Sequence, residues 1–74
     1  MAETFWLVRR RQDGGCDFVS FAPAPDRVEM REGSHLPPQM PLLKRRSWLP
    51  QAEAERQSQR LQREAGFRCS EPLF

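Results

Sequence analysis

"TFWLVRRRQDGGCDFVSFA", residues 4–22, reads as a strand, a tight turn and a second strand, and it decides the fold. Both flanking runs are rich in aromatic and β-branched side chains, which suit a pleated surface. Asp13-Gly14-Gly15 between them supplies the positive φ angles that a short hairpin needs. Along the first run Trp6 and Val8 alternate with Phe5, Leu7 and Arg9. In the second run Cys16, Phe18 and Ser20 alternate with Asp17, Val19 and Phe21. Apolar residues fall on both faces, so alternation alone does not say which face is the core.

Downstream, "APAPD" (22–26) breaks the pairing, because proline cannot donate to a strand ladder. "RVEMR" (27–31) alternates again, with Val28 and Met30 on one side and Arg27, Glu29 and Arg31 on the other. It predicts a short third strand. "EGSHLPPQMP" (32–41) holds three prolines and a glycine and predicts a loop. "LLKRRSWL" (42–49) is read either as a fourth strand or as an extended lead-in to a helix.

The helix begins at Pro50, whose missing N–H costs nothing in a first turn. Glu53 and Glu55 lie early and Arg60 and Arg63 late, in keeping with the helix dipole. Arg60 and Glu64 are spaced to pair at i,i+4. Gly66 is placed as a left-handed C-terminal cap, with Phe67 folding back onto Leu61. The apolar stripe is thin: Ala54, Leu61 and Ala65, interrupted by Gln57 and Ser58. Such a helix needs a sheet to supply most of the buried surface.

These elements define an α+β domain, a three- to four-stranded antiparallel sheet with one C-terminal helix across a face. It spans residues 1–69, with 70–74 as a loose tail. The expected core is Trp6, Val8, Phe18, Val28, Met30, Leu43, Leu61 and Phe67. One helix cannot cover both faces of a sheet that is apolar on both sides.

Seventy-four residues bury little more than half of the unfolded surface, and such domains are held by only about 3–5 kcal/mol. Twelve basic and ten acidic residues leave a net charge of +2, a smaller excess than dedicated nucleic-acid binders carry. The N-terminus lacks a basic segment followed by an apolar run, and no run approaches the ~20 residues of a membrane span. The chain is therefore expected to be soluble and cytoplasmic, without a membrane association, and its two cysteines reduced. A bond between Cys16 and Cys69 would require the last strand to lie beside the second.

Little in the sequence points to catalysis. His35 is the lone histidine and falls in the Gly/Pro-rich loop with no marked nucleophile or carboxylate beside it. Asp13 and Asp17 flank a turn, where aspartate serves the backbone. Two cysteines and one histidine fall short of a zinc site, and no phosphate-binding or nucleophile-elbow motif occurs. We therefore expect no enzymatic activity, no cofactor and no metal.

Basic residues gather in three groups: Arg9 to Arg11, Lys44 to Arg46, and Arg56, Arg60 and Arg63 along one helix face. Strand alternation divides the first group, and Glu53, Glu55 and Glu64 interrupt the helical one. These charges read first as a solvated mixed surface.

The segments Trp6-Leu7-Val8, Pro41 to Arg46, Ala54, Leu61 and Gly66-Phe67 together resemble a family of short cyanobacterial proteins classed as a domain of unknown function. The resemblance implies a stand-alone cytoplasmic protein without an assigned activity, and it contributes no catalytic or binding residue. Where that family places a large aromatic in mid-helix this chain has Gln57, which implies weaker helix packing.

The leading functional expectation is a small accessory or interaction protein, acting through a surface on an unidentified protein partner or on itself as a homodimer. The alternative is a weak RNA- or DNA-binding protein using Lys44, Arg45, Arg46, Arg56, Arg60 and Arg63.

Overall fold

In a computed structural model, residues 3–73 are described. The elements run β1 (Phe5–Arg10), β2 (Cys16–Pro23), β3 (Val28–His35), β4 (Leu42–Leu49), α1 (Gln51–Glu64) and β5 (Arg68–Ser70). The five strands form one antiparallel sheet in the order β4-β3-β2-β1-β5. The α+β class stands, and the strand count is five instead of three or four. The smallest dimension, 19 Å, is that of a single helical layer on a single sheet.

Each extra length of strand has a local cause. β3 continues past Arg31 to His35, because Gly33 and Ser34 still pair with Phe18 and Asp17 of β2. His35 is therefore the last residue of a strand, opposite Cys16, and not a loop residue. β4 is a true strand, with a register shift between Glu32 and Gly33 that leaves Lys44 as the extra residue. β5 forms beside β1, with Cys69 opposite Leu7. Cys16 instead lies opposite Arg10, so the condition for a Cys16–Cys69 bond is not met and both thiols are free. Ser70, placed in the tail by sequence, closes β5, and residues 1, 2 and 74 lie outside the described residues.

The hairpin turn is held by Arg11 N–H to Gly15 C=O at 2.9 Å, with Gly14 at φ +89°. Pro50 is the N-cap and not the first helical residue, and its carbonyl accepts from Ala54 N–H at 3.0 Å. Gly66 is left-handed at φ +75°, as the C-terminal reading requires. Its geometry lets Phe67 N–H return to the carbonyl of Leu61 at 3.1 Å. Along the helix Arg56 pairs with Glu53, while Arg60 donates to Gln57 Oε1 at 2.6 Å in place of the expected Glu64.

Small residues bring the helix close to the sheet. Ala54 and Ser58 are buried, and the Ser58 hydroxyl donates to its own helix at Glu55 C=O. The sheet supplies the volume: Leu7, Val19, Phe21, Val28 and Met30 pack with Ala54 and Phe67, flanked by Phe5, Leu49, Leu61 and Ala65. Leu7 and Phe21 are wholly buried, worth about 1.5–3 kcal/mol each in hydrophobic transfer.

The expected core is thus right for Val28, Met30 and Phe67 and assigns the wrong face of β1. Trp6 and Val8 point away from the helix and are half-buried, and Leu43 is exposed. Phe18 is buried, yet on that same opposite face. The helix selected the odd-numbered residues of β1, a choice the two-sided apolar pattern left open.

Candidate functional site

The side of the sheet away from α1 carries no second layer among the described residues. Register assigns to it Trp6, Val8 and Arg10 of β1, Cys16, Phe18, Ser20 and Ala22 of β2, and Glu29, Arg31, Gly33 and His35 of β3. Leu43, Arg46 and Trp48 of β4 and Arg68 and Ser70 of β5 complete it.

Two aromatic centres organise this surface. Trp6 and Phe18 meet with ring centroids 5.7 Å apart and planes tilted by 39°. With Ser20, Arg31, Pro41 and Leu43 they wall a shallow hollow of about 210 Å³. At the other end Trp48 is 47 % exposed, with the Arg27 guanidinium 4.3 Å from the ring centroid. That cation–π contact orients the indole while leaving much of it open.

The charges of this face converge on one acid. Glu29 is 8 % exposed and forms ion pairs with Arg31 at 2.8 Å and with Arg46 at 3.2 Å. Its carboxylate is spent in holding two guanidinium groups on the surface. Arg10 and Arg68 add two further cations, both exposed. The strands of this face therefore present four arginines and one buried glutamate. A fifth arginine, Arg27, lies over Trp48 on the same side, and the rest of the chain keeps seven basic and nine acidic residues of the twelve and ten. The net positive charge of the whole protein resides on the open sheet face.

The remaining arginines hold the fold. Arg9, on the helix side, donates to Ala65 C=O at 3.0 Å and to Asp17 at 2.8 Å, and lies 4.8 Å from the Phe67 ring centroid. It ties the hairpin to the C-terminal end of α1, where a cation is favoured. Arg11 pairs with Asp13 at 3.2 Å and Asp17 at 3.3 Å. The Gly15 amide, and then Arg11, hold the Asp13 carboxyl below the usual carboxylate range. Hydrogen bonds from Arg56 and then Gln57 do the same for Glu53.

The six basic residues expected to act together are divided. Arg46 lies on the open face. Arg45 reaches Glu32 at 3.7 Å on the helix side and shares a hollow there with Gln57 and Arg60. Arg56 is tied to Glu53, and Lys44 borders Arg9, Asp17 and Leu61. Arg63 is exposed in the last helical turn. Lys44, Arg45, Arg56 and Arg60 thus share the helix flank with Glu32 and Glu53, a mixed-charge surface.

Sequence reasoning had not gathered Arg10, Arg31 and Arg68 with Arg46. The signal for Arg31 was present in the alternation of "RVEMR", but the pairing of β5 with β1 was needed to bring Arg68 beside Arg10. No helix among the described residues is long and apolar enough to cross a membrane. Comparison with known proteins finds no matching family model, no matching curated protein and no matching solved structure.

Proposed function

We propose that this chain is a non-enzymatic interaction module whose working surface is the open face of the sheet. The observation that supports the reading is the one-sided cover: α1 lies on a single face, and the other presents Trp48 and Leu43 half-exposed between arginines. Large apolar residues set among cations, with the half-buried Trp6 resting on the buried Phe18, match the composition of binding surfaces better than that of a solvated face.

Self-association through this face is disfavoured by its charge. A second copy would set Arg31, Arg46, Arg10 and Arg68 against their equals, with each Glu29 already engaged. The partner is therefore a different molecule. The resemblance to short cyanobacterial proteins belongs to the same proposal.

The test is photo-crosslinking in cells, with a diazirine side chain at position 43 on the open face or at position 59 on the outside of α1. Capture from position 43 and not from 59 is expected. Capture from position 59 alone would overturn the reading.

A further inference from the structure

The open face has a charge and an aromatic pattern that together select a class of partner. Resting on the reading above, we propose that it is a platform for single-stranded nucleic acid, with bases stacking at Trp6 and Trp48 and phosphates held by Arg10, Arg31, Arg46 and Arg68.

Complementarity is the first argument. Five guanidinium groups, Arg27 over Trp48 among them, and one buried acid make this face cationic, while the rest of the chain carries more acids than bases. The partner is accordingly a polyanion. Guanidinium groups suit phosphate because their planar fork bonds two oxygens at once. Glu29 serves this arrangement: by taking one edge of both Arg31 and Arg46 it orients them and leaves each half-exposed, at 47 % and 53 %.

The aromatic geometry is the second argument, and it separates nucleic acid from an acidic protein. The hollow beside Trp6 holds about 210 Å³, below the ~300–1,000 Å³ of sites for drug-sized ligands, a size for one planar ring. Its walls are the Trp6–Phe18 aromatic pair, the apolar Pro41 and Leu43, and the polar Ser20 and Arg31. A base needs that combination: a π surface to stack on and a few groups for its edge. Trp48 supplies a second stacking surface at the other end of the face. An acidic peptide would use the arginines and leave both aromatics without a role. A duplex would keep its bases stacked on one another and engage only the arginines.

The residues involved differ from the Lys44-to-Arg63 set that the sequence suggested, and Arg46 is common to both. This makes the assignment separable by mutation. Fluorescence anisotropy with the full chain would use labelled mixed-sequence single-stranded RNA and DNA, the matching duplex, and polyglutamate, at 50 and 200 mM salt. Four neutralised phosphates predict about a fiftyfold loss of single-strand affinity over that range. Trp48→Leu is expected to weaken binding roughly tenfold, the scale of one stacked base. Arg10→Gln with Arg68→Gln is expected to flatten the salt dependence, and Arg56→Gln with Arg63→Gln to change little. Tryptophan emission should be quenched on binding, with circular dichroism verifying that each variant is folded.

Affinity lost only in the Arg56/Arg63 variant would place the site on the helix and overturn the proposal. So would equal binding of duplex and single strand, unmoved by Trp48→Leu. Binding of polyglutamate alone would make the partner an acidic protein, and no binding at 50 mM salt would exclude nucleic acid. In these last two cases capture from position 43 in cells would still stand, so the interaction reading and the nucleic-acid reading fail separately.

Discussion

The Phe18 ring lies so close to Gly33 that a Cβ on the glycine would stand 2.6 Å from its ζ carbon. The two are direct partners across β2 and β3, and the same Cβ would run into the Leu42 carbonyl oxygen. The glycine thus lets β4 approach at the bulge and gives the phenyl ring a floor, as aromatic residues do over strand glycines. Because one of the two obstructions is backbone, a side chain there is not accommodated by a rotamer change. Gly33→Ala should cost about 2–3 kcal/mol. The melting temperature should fall by roughly 10–20 °C. A thermal melt within a few degrees of the parent would refute this account of the bulge.

The two faces of β1 and β4 make a matched prediction. Leu7 is wholly buried under the helix, and Leu43 is 44 % exposed on the open side. Leu7→Ala should cost about 2–5 kcal/mol. That is most of the stability expected of a domain this small. Leu43→Ala should cost less than about 1 kcal/mol. Urea unfolding followed by far-ultraviolet circular dichroism separates the two, and equal costs would mean that the helix had been assigned to the wrong face.

Glu29, Arg31 and Arg46 should behave as a unit. With either arginine replaced by glutamine, the other still faces the carboxylate, and each single change should cost only about 0.5 kcal/mol. Replacing both strands a nearly buried anion, and the double variant should lose about 2–4 kcal/mol. A double-mutant cycle in urea measures the excess, and strict additivity would show that the two contacts do not share the acid.

Acid should act on the turn and the helix start together. The Asp13 and Glu53 carboxyls are held below their ordinary values, so the folded chain binds those protons less readily than the unfolded chain. Their stabilisation is complete above the unfolded pKa values near 4 and is lost as the pH falls through the lower folded ones. Carboxyl-carbon NMR titration should find both midpoints below the ordinary range. The main cause at Asp13 is the Gly15 amide, so Arg11→Gln should leave its midpoint depressed. At Glu53 it is Arg56, and Arg56→Gln should raise that midpoint, with the Gln57 hydrogen bond still holding it down in part. The opposite pattern would reverse the assignment of causes.

Much of this architecture is visible in particular residues of the sequence. The hairpin is legible because Asp13-Gly14-Gly15 leaves the chain few other routes, and the helix end because Gly66 adopts a backbone that side chains resist. Alternation in "RVEMR" marks Val28 and Met30 as core and Arg31 as facing away from it. The inner face of β1 was not legible, since Phe5-Trp6-Leu7-Val8 offers two apolar sides and only the helix chooses between them. β5 was not legible either: three exposed residues become a strand because β1 has a free edge beside them. The open-face arginines come from four strands, so their grouping is a property of strand order, which no local pattern carries.

β4 leaves its outer edge unpaired over eight residues, and Lys44, Arg45 and Arg46 follow one another along it. Two copies meeting along that edge in antiparallel fashion would bring these three cations against the same three at strand spacing, where like charges repel. An uncharged edge of this length would be a template on which further chains could stack without limit, into insoluble fibres. The basic triplet therefore stands along this edge as a fence against the approach of further copies.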